Sequence, residues 1–410
     1  MTETTAARAA ALRQGGDSGK HQSVPQAAAL REGGDSIALY VHWPYCARIC
    51  PYCDFNVVRD RGRTQEQAGL AQAILNDLEA QAALVGPRAL ASIFFGGGTP
   101  SLMPPDAVAA VTARARALFP PSGDIEISLE ATPPDAEAGR YAALARAGIN
   151  RLSMGVQSFD DAALKFLGRD HSAAEARRAI ALAAQAFPRL SIDLIYARPG
   201  QGVGDWMAEL TTALDLGFEH VSPYQLTIEG TTAFGRAVAR GAWSPPDEDL
   251  AAALYETTQA TLEAAGFEAY EVSNHARDVA ARSSHNLHVW RGGDYLGLGP
   301  GAHGRLTLDE GRVATVAARR IGDYVAGVAA GSPWAEREVL EPLAVLELAE
   351  REALVLILAA LAGLPRALER RLGAPDQPRL APAAPVDDAA LHPQRHAPAP
   401  VNCEDRPQAP

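Results

Sequence analysis

The chain has 410 residues, 47% of them hydrophobic, enough for one large domain with its own core and a smaller one beside it. Its 49 acidic side chains outnumber 37 basic ones for a formal net charge of -12, and no clustered run of Lys and Arg offsets this, which argues against a nucleic-acid partner. No run of about 18 apolar residues offers a membrane span, and the few thiols suit the cytoplasm.

Residues 1–35 are rich in Ala, Gly, Gln and Ser, and the stretch Ala9 to Ser18 recurs as Ala27 to Ser36 with Glu32 in place of Gln14. A disordered, duplicated leader is expected. Its Glu3, Asp17, Glu32 and Asp35 do not suit a mitochondrial presequence, which is Arg-rich and poor in acids. From Ile37 onward, β-branched or alternating runs predict strands at 37–43, 90–95, 125–130, 150–156, 190–196 and 219–226. Ala- and Leu-rich stretches predict helices at 64–85, 105–118, 135–147, 160–186 with a break, and 203–216, the first opened by a capping box of Thr64 and Gln67.

Six strand–helix repeats with short connections predict an α/β fold, a parallel sheet curled into a partial (β/α)6 barrel of the TIM type, with a full eight-fold barrel as the alternative. In either, chemistry belongs at the C-terminal ends of the strands. A helix at 247–265 and a strand at 268–273 lead into a glycine-rich segment, then a long Leu/Ala/Glu helix at 342–372 and a Pro/Ala-rich tail. The expected division is therefore 1–35 leader, 36–240 partial barrel, 241–330 barrel extension, 331–373 a small, incomplete C-terminal helical domain, and 374–410 disordered tail.

Cys46, Cys50 and Cys53 follow the first strand, and only Cys403 lies elsewhere. The spacing C-x3-C-x2-C puts three soft thiolates on one tight loop, close enough to hold three corners of a cubane iron–sulfur cluster and leave the fourth iron open to a small molecule. Structural zinc asks for four closed ligands, and neither a second C-x2-C pair nor a convincing fourth ligand is nearby. A disulfide asks for an oxidising compartment, and the N-terminus carries no apolar signal-peptide core. Unreactive buried cysteines stay open, but would leave Pro44 and the flanking aromatics unexplained.

The second strand ends in Phe95-Gly-Gly-Gly-Thr-Pro100. Alone this is a turn; beside a cluster loop its glycines let backbone approach a ligand and Gly97, Gly98 and Thr99 offer polar groups. Later strand ends supply Glu130, Gln157 and Asp193, which either cap loops or converge on one polar pocket. Arg169 could bind a carboxylate, or lie solvated at a helix end.

With these motifs, residues 37–304 resemble the radical S-adenosylmethionine (SAM) group that contains oxygen-independent coproporphyrinogen III oxidase (HemN) and the haem chaperone HemW. The resemblance implies a 4Fe-4S cluster on Cys46, Cys50 and Cys53, and it puts Tyr40, Tyr52, Gly97, Gly98, Thr99, Glu130, Gln157, Arg169 and Asp193 at positions the family uses for the cluster and SAM. The oxidase pattern has a fourth cysteine where this chain has Phe55, which favours the chaperone branch. So does His285-Asn286-Leu-His-Val-Trp290, which resembles the H-N-x-x-Y-W haem motif with Val289 in the Tyr place.

A neutral imidazole ligates haem iron well and an indole packs on a macrocycle, so the resemblance implies haem at His285, Asn286 and Trp290; the plain alternative for such a His is a hydrogen-bonded core residue. His303 is a weaker candidate, and His42 is placed to orient the cysteine loop or the substrate. The resemblance implies haem transfer to an acceptor protein, such as a membrane respiratory enzyme, from a cytoplasmic or peripherally membrane-associated position, and it leaves room for a homodimer. The alternative is oxidative decarboxylation of coproporphyrinogen III.

Overall fold

The computed structural model describes residues 35–341; the expected leader, the helix at 342–372 and the proline-rich tail lie outside the described residues. Six strands alternate with helices: β1 (Ser36–Trp43), α1 (Thr64–Val85), β2 (Ala89–Gly97), α2 (Pro105–Leu118), β3 (Glu126–Ala131), α3 (Ala138–Arg146), β4 (Arg151–Gln157), α4 (Asp161–Phe166), α5 (Ala173–Ala186), β5 (Arg189–Tyr196), α6 (Val203–Asp215) and β6 (His220–Gln225). Each strand pairs in parallel with the next, the partial barrel expected from the repeats.

Alternation along the strands explains the layering. In β1, Ile37, Leu39, Val41 and Trp43 are wholly buried, and in α1 Leu70, Ile74 and Leu78 recur at four-residue spacing and are wholly buried in the same core. Each such side chain contributes roughly 1.5–3 kcal/mol by leaving water. Ser128, Ser191 and Ser222 are small and buried; Ser153 is in register with the cavity residue Glu130 and Ser222 with Asp193, while Ser128 and Ser191 lie two positions earlier on the strands of Glu130 and Asp193.

The break expected within 160–186 separates two helices, the second opened by a capping box of Ser172 and Glu175. Other local details differ from the sequence expectation. The Thr64–Gln67 capping box is not formed: Arg63 stands at the cap, and the Gln67 amide instead donates to Asp60 Oδ1 at 3.0 Å.

Beyond β6 come α7 (Ala233–Ala239) and α8 (Glu248–Ala264). The strand expected at 268–273 shortens to Glu268–Ala269, which pairs with His275–Ala276 at one sheet edge. The glycine-rich segment is structured: α9 (Ser284–Trp290), β7 (Asp294–Leu298), β8 (His303–Leu308), β9 (Gly311–Ala317), α10 (Ile321–Ala329) and β10 (Trp334–Val339). Strand β7 runs parallel to β1 on the side opposite β2, and β8, β9 and β10 follow antiparallel. The stretch expected to open a helical region thus begins with a strand, β10, which pairs antiparallel with β9 and completes the sheet.

The segment leading into α9 crosses the N-terminal mouth of the barrel. Glu126 and Arg151 are the first residues of β3 and β4; Glu126 accepts from Ser283 Oγ at 3.0 Å and the His285 N–H at 3.3 Å, while Arg151 donates to the Ala281 carbonyl at 3.0 Å.

Candidate functional site

At the opposite mouth, the strand ends turn toward the cysteine loop. Tyr45–Cys46 pairs with Val58–Arg59, and the Asp60 N–H donates to the Cys46 carbonyl at 2.8 Å. That two-residue clamp closes the loop at its base and holds Cys46, buried, and Cys50 and Cys53, half-buried, all with free thiols. Burial pushes the Cys46 thiol up to about 11 and that of Cys53 upward, so thiolate character there depends on a positive partner. Arg169 provides one at Cys50: its Nη1 donates to Sγ at 3.2 Å and its Nη2 to the Gly155 carbonyl at 2.9 Å.

The glycines of the second strand end meet the cysteine loop itself. Gly98 N–H donates to the Trp43 carbonyl and Thr99 N–H to the Tyr45 carbonyl, both at 2.8 Å. A Cβ on Gly98 would stand 2.7 Å from the Tyr45 oxygen, and Gly97 adopts φ 109°. Close approach of two backbones therefore demands glycine here.

A cavity of about 490 Å³ opens at this end, within the size range of small-molecule sites. Cys46, Cys50, Cys53, Tyr52, Gly97, Gly98, Thr99, Glu130, Gln157, Arg169 and Asp193 all line it. Gln157 takes φ 71°, a left-handed backbone at the rim. Glu130 and Asp193 open onto the cavity with protein around them otherwise; burial and then the neighbouring Asp193 raise Glu130 to about 8, and burial raises Asp193 to about 6.

Tyr40 stands behind this surface. Its hydroxyl lies 3.0 Å from His42 Nδ1, and His42 Nε2 lies 2.9 Å from the Asn56 carbonyl. A carbonyl only accepts, so Nε2 carries the proton and Tyr40 donates to Nδ1. Asn56 Nδ2 in turn donates to the carbonyls of Pro300 at 2.8 Å and Arg319 at 2.9 Å. His42 therefore orients the loop, and Asn56, not anticipated from sequence, ties it to β7–α10. Tyr224 and Leu226 also line the cavity; no local pattern marked them.

His285, Asn286 and Trp290 are not brought to this cavity. His285 lies at the far mouth, buried, its Nδ1 3.0 Å from Ser92 Oγ and its ring stacked on Phe94 at 5.0 Å. Burial lowers its pKa to about 3, so it is neutral. Asn286 is half-buried and Trp290 Nε1 is buried without a hydrogen-bond partner. His303 opens β8 with its side chain exposed.

The residue types suit a cluster with an open corner: three free thiols lie on one loop, among the described residues no fourth cysteine stands beside them, and Phe55 is exposed at the rim. Five carboxylates line the same cavity, Asp54, Glu130, Asp170, Asp193 and Glu229, against Arg48 and Arg169, which suits a ligand carrying positive charge. Among the described residues, no helix is long and apolar enough to cross a membrane.

Comparison with known proteins agrees with this geometry. The family model of the radical SAM superfamily matches residues 40–212. Over 271 residues the chain is 49% identical to the mitochondrial radical S-adenosyl methionine domain-containing protein 1 of Bos taurus, covering 65% of this chain and 60% of that protein. The chain thus spans less than two thirds of that relative's length. It is 41% identical over 278 residues to the heme chaperone HemW of Escherichia coli, covering 68% of this chain and 72% of HemW. Among solved structures, coproporphyrinogen III oxidase (HemN) of Escherichia coli superposes with a TM-score of 0.63 at 22% identity, covering 77% of this chain and 74% of HemN. The chain belongs to the radical SAM superfamily and, within it, to the family of the heme chaperone HemW.

Proposed function

We propose that this protein is a haem chaperone that holds a 4Fe-4S cluster on Cys46, Cys50 and Cys53, binds SAM in the adjoining cavity, and passes one haem to an acceptor protein. The observation that carries the cofactor reading is the convergence on one cavity of three free thiols with the carboxylates Glu130 and Asp193, neither of which enters a salt bridge among the described residues. A bound cluster of this type supplies an electron for reductive cleavage of SAM. Around it, the residues bind and orient: Arg169 donates to Cys50 Sγ, Gly97 to Thr99 hold the loop's base, and Glu130 and Asp193 receive positive charge. Gln157 and Tyr52 bound the nucleotide on this reading.

For haem, His285 is the ligand we propose. Ser92 Oγ can accept a proton from Nδ1 and leave Nε2 free for iron, the arrangement typical of metal-binding histidines. The ring is stacked on Phe94 and buried, so haem would reach Nε2 only if the side chains around it made way while the Ser92 bond held; Asn286 and Trp290 lie on the same helix. The chaperone reading rests on the family relationship and on Phe55 in place of the oxidase's extra cysteine. A cytoplasmic setting, an acceptor in a respiratory membrane enzyme and self-association belong to the same proposal.

Anaerobic reconstitution followed by iron and sulfide analysis, SAM binding and haem titration tests it. We expect about four irons per chain and a haem absorption band that saturates near one equivalent. Conversion of coproporphyrinogen III by a protein that takes up no haem would establish the oxidase instead.

A further inference from the structure

Resting on the reading of the cavity as a SAM site, we propose that Glu130 and Asp193 share a bound proton when no cation sits beside them, and that seating the sulfonium nucleotide expels it. Affinity is then coupled to pH. The geometry begins with strand register: Glu130 faces Ser153 and Asp193 faces Gly155, so the two carboxylates flank β4 from either side. Glu130 accepts one backbone N–H, from Gly97 at 3.2 Å, and Asp193 accepts Ser153 Oγ at 3.2 Å. Among the described residues neither enters a salt bridge.

The nearest cations are committed elsewhere. Arg169 donates to Cys50 Sγ and the Gly155 carbonyl, and Arg151 to Glu126 and the Ala281 carbonyl. Hydrogen bonds from Ser153 and Ser222 come first in holding Asp193 below Glu130, and both guanidiniums add to this through space. The phenols of Tyr40 from β1 and Tyr224 from β6 also face the pair; burial first, and then these carboxylates, push both upward, so both stay neutral. Arg48, Asp54, Asp170 and Glu229 line the same cavity. Two like charges sharing a poorly solvated site titrate apart, one keeping its proton near neutrality. A cation in the cavity removes that penalty.

Calorimetric titration of SAM into the reconstituted protein near pH 7, in buffers of different ionisation enthalpy, counts the protons released. The ligand's own amino group, with a pKa of about 7.7–8.0, adds to the count if it binds iron, so the deciding number is the difference between parent and Glu130→Gln. We expect the parent to release up to about one proton more, and its Kd to tighten by up to about tenfold per pH unit as pH rises toward 8. Equal counts in parent and variant overturn the coupling while leaving the site reading intact; no binding by the parent overturns the site reading itself. Should Glu130→Gln fail to bind, infrared difference spectra of the parent decide. Loss of a protonated-carboxyl C=O band on adding SAM is expected, and its absence overturns the proposal. S-adenosylhomocysteine, which lacks the sulfonium charge, is expected to leave the band in place.

Discussion

Ser92 Oγ lies 3.0 Å from His285 Nδ1, a bond between residues 193 positions apart that fastens α9 to the inside of β2. The same imidazole is proposed to ligate haem, so its structural and binding roles must be separated. His285→Ala removes a buried, stacked and hydrogen-bonded ring, and we expect it to cost roughly 2–4 kcal/mol, seen as a fall in Tm. His285→Gln offers an amide for the Ser92 bond but no imidazole nitrogen; it should stay folded and lose the haem absorption band. If His285→Gln binds haem like the parent, the residue is a post in the barrel floor and no ligand.

His285 also sets a pH dependence. Its folded pKa is lowered from 6.5 to about 3 by burial, so the folded state resists protonation. Stability it contributes is present above pH 6.5 and is lost as pH falls from there toward 3, at up to about 1.4 kcal/mol per unit. Urea unfolding of parent and His285→Gln between pH 7 and 4 should show a shallower decline in the variant.

The barrel strands and their helices were legible because each carries a clean period, and the cysteines because their chemistry is written in their spacing. The segment after 290 was not. Its glycines read as loop, yet Gly297 sits in β7 where a Cβ would stand 2.1 Å from the His303 carbonyl, and Gly304 sits in β8 against Thr315. Those glycines allow crowded strands to pair, a demand visible only with both neighbours present. The Thr64–Gln67 box failed for a related reason, since Asp60 captures the Gln67 amide. The polar strand ends were found; the bond network behind them runs from Tyr40 through His42 to Asn56 and on to Pro300, and that last bond joins residues 244 positions apart, too far to pair on paper.

Asn56 tests that network. Asn56→Ala leaves the Pro300 and Arg319 carbonyls without their donor while keeping the backbone oxygen that His42 uses. We expect a loss of about 1–3 kcal/mol, faster hydrogen exchange at 299–303, and cluster iron that drains sooner under a chelator. Unchanged chelation kinetics would show that the loop does not depend on this tether.

Gly98→Ala probes the meeting of the two loops. Its methyl would lie 2.7 Å from the Tyr45 oxygen and 2.8 Å from the Pro44 oxygen, with backbone on both sides unable to yield cheaply. We expect the loop's base to open, with iron incorporation reduced several-fold, while far-ultraviolet circular dichroism stays that of the parent. Full iron content in Gly98→Ala would mean that the base of the loop can move without cost to the cluster.

Glu209 of α6 accepts hydrogen bonds from Ser158 Oγ at 2.6 Å, the Phe159 N–H at 3.3 Å and the buried Arg198 guanidinium. Ser158 follows Gln157 and Arg198 follows Ala197, the two non-glycine residues with positive φ among the described residues, at 71° and 60°. The carboxylate thus ties down the chain just past β4 and β5, where the left-handed turns aim Gln157 into the cavity. Glu209→Ala strands a buried guanidinium and should cost about 3–5 kcal/mol. With the clamp released, Gln157 is expected to relax from its strained backbone, weakening SAM binding several-fold in calorimetry while iron content holds, because no cysteine contacts this network. Gln157→Gly, which accepts the same φ without strain, distinguishes backbone from side chain: if it binds SAM as well as the parent, the cavity needs the turn and not the amide.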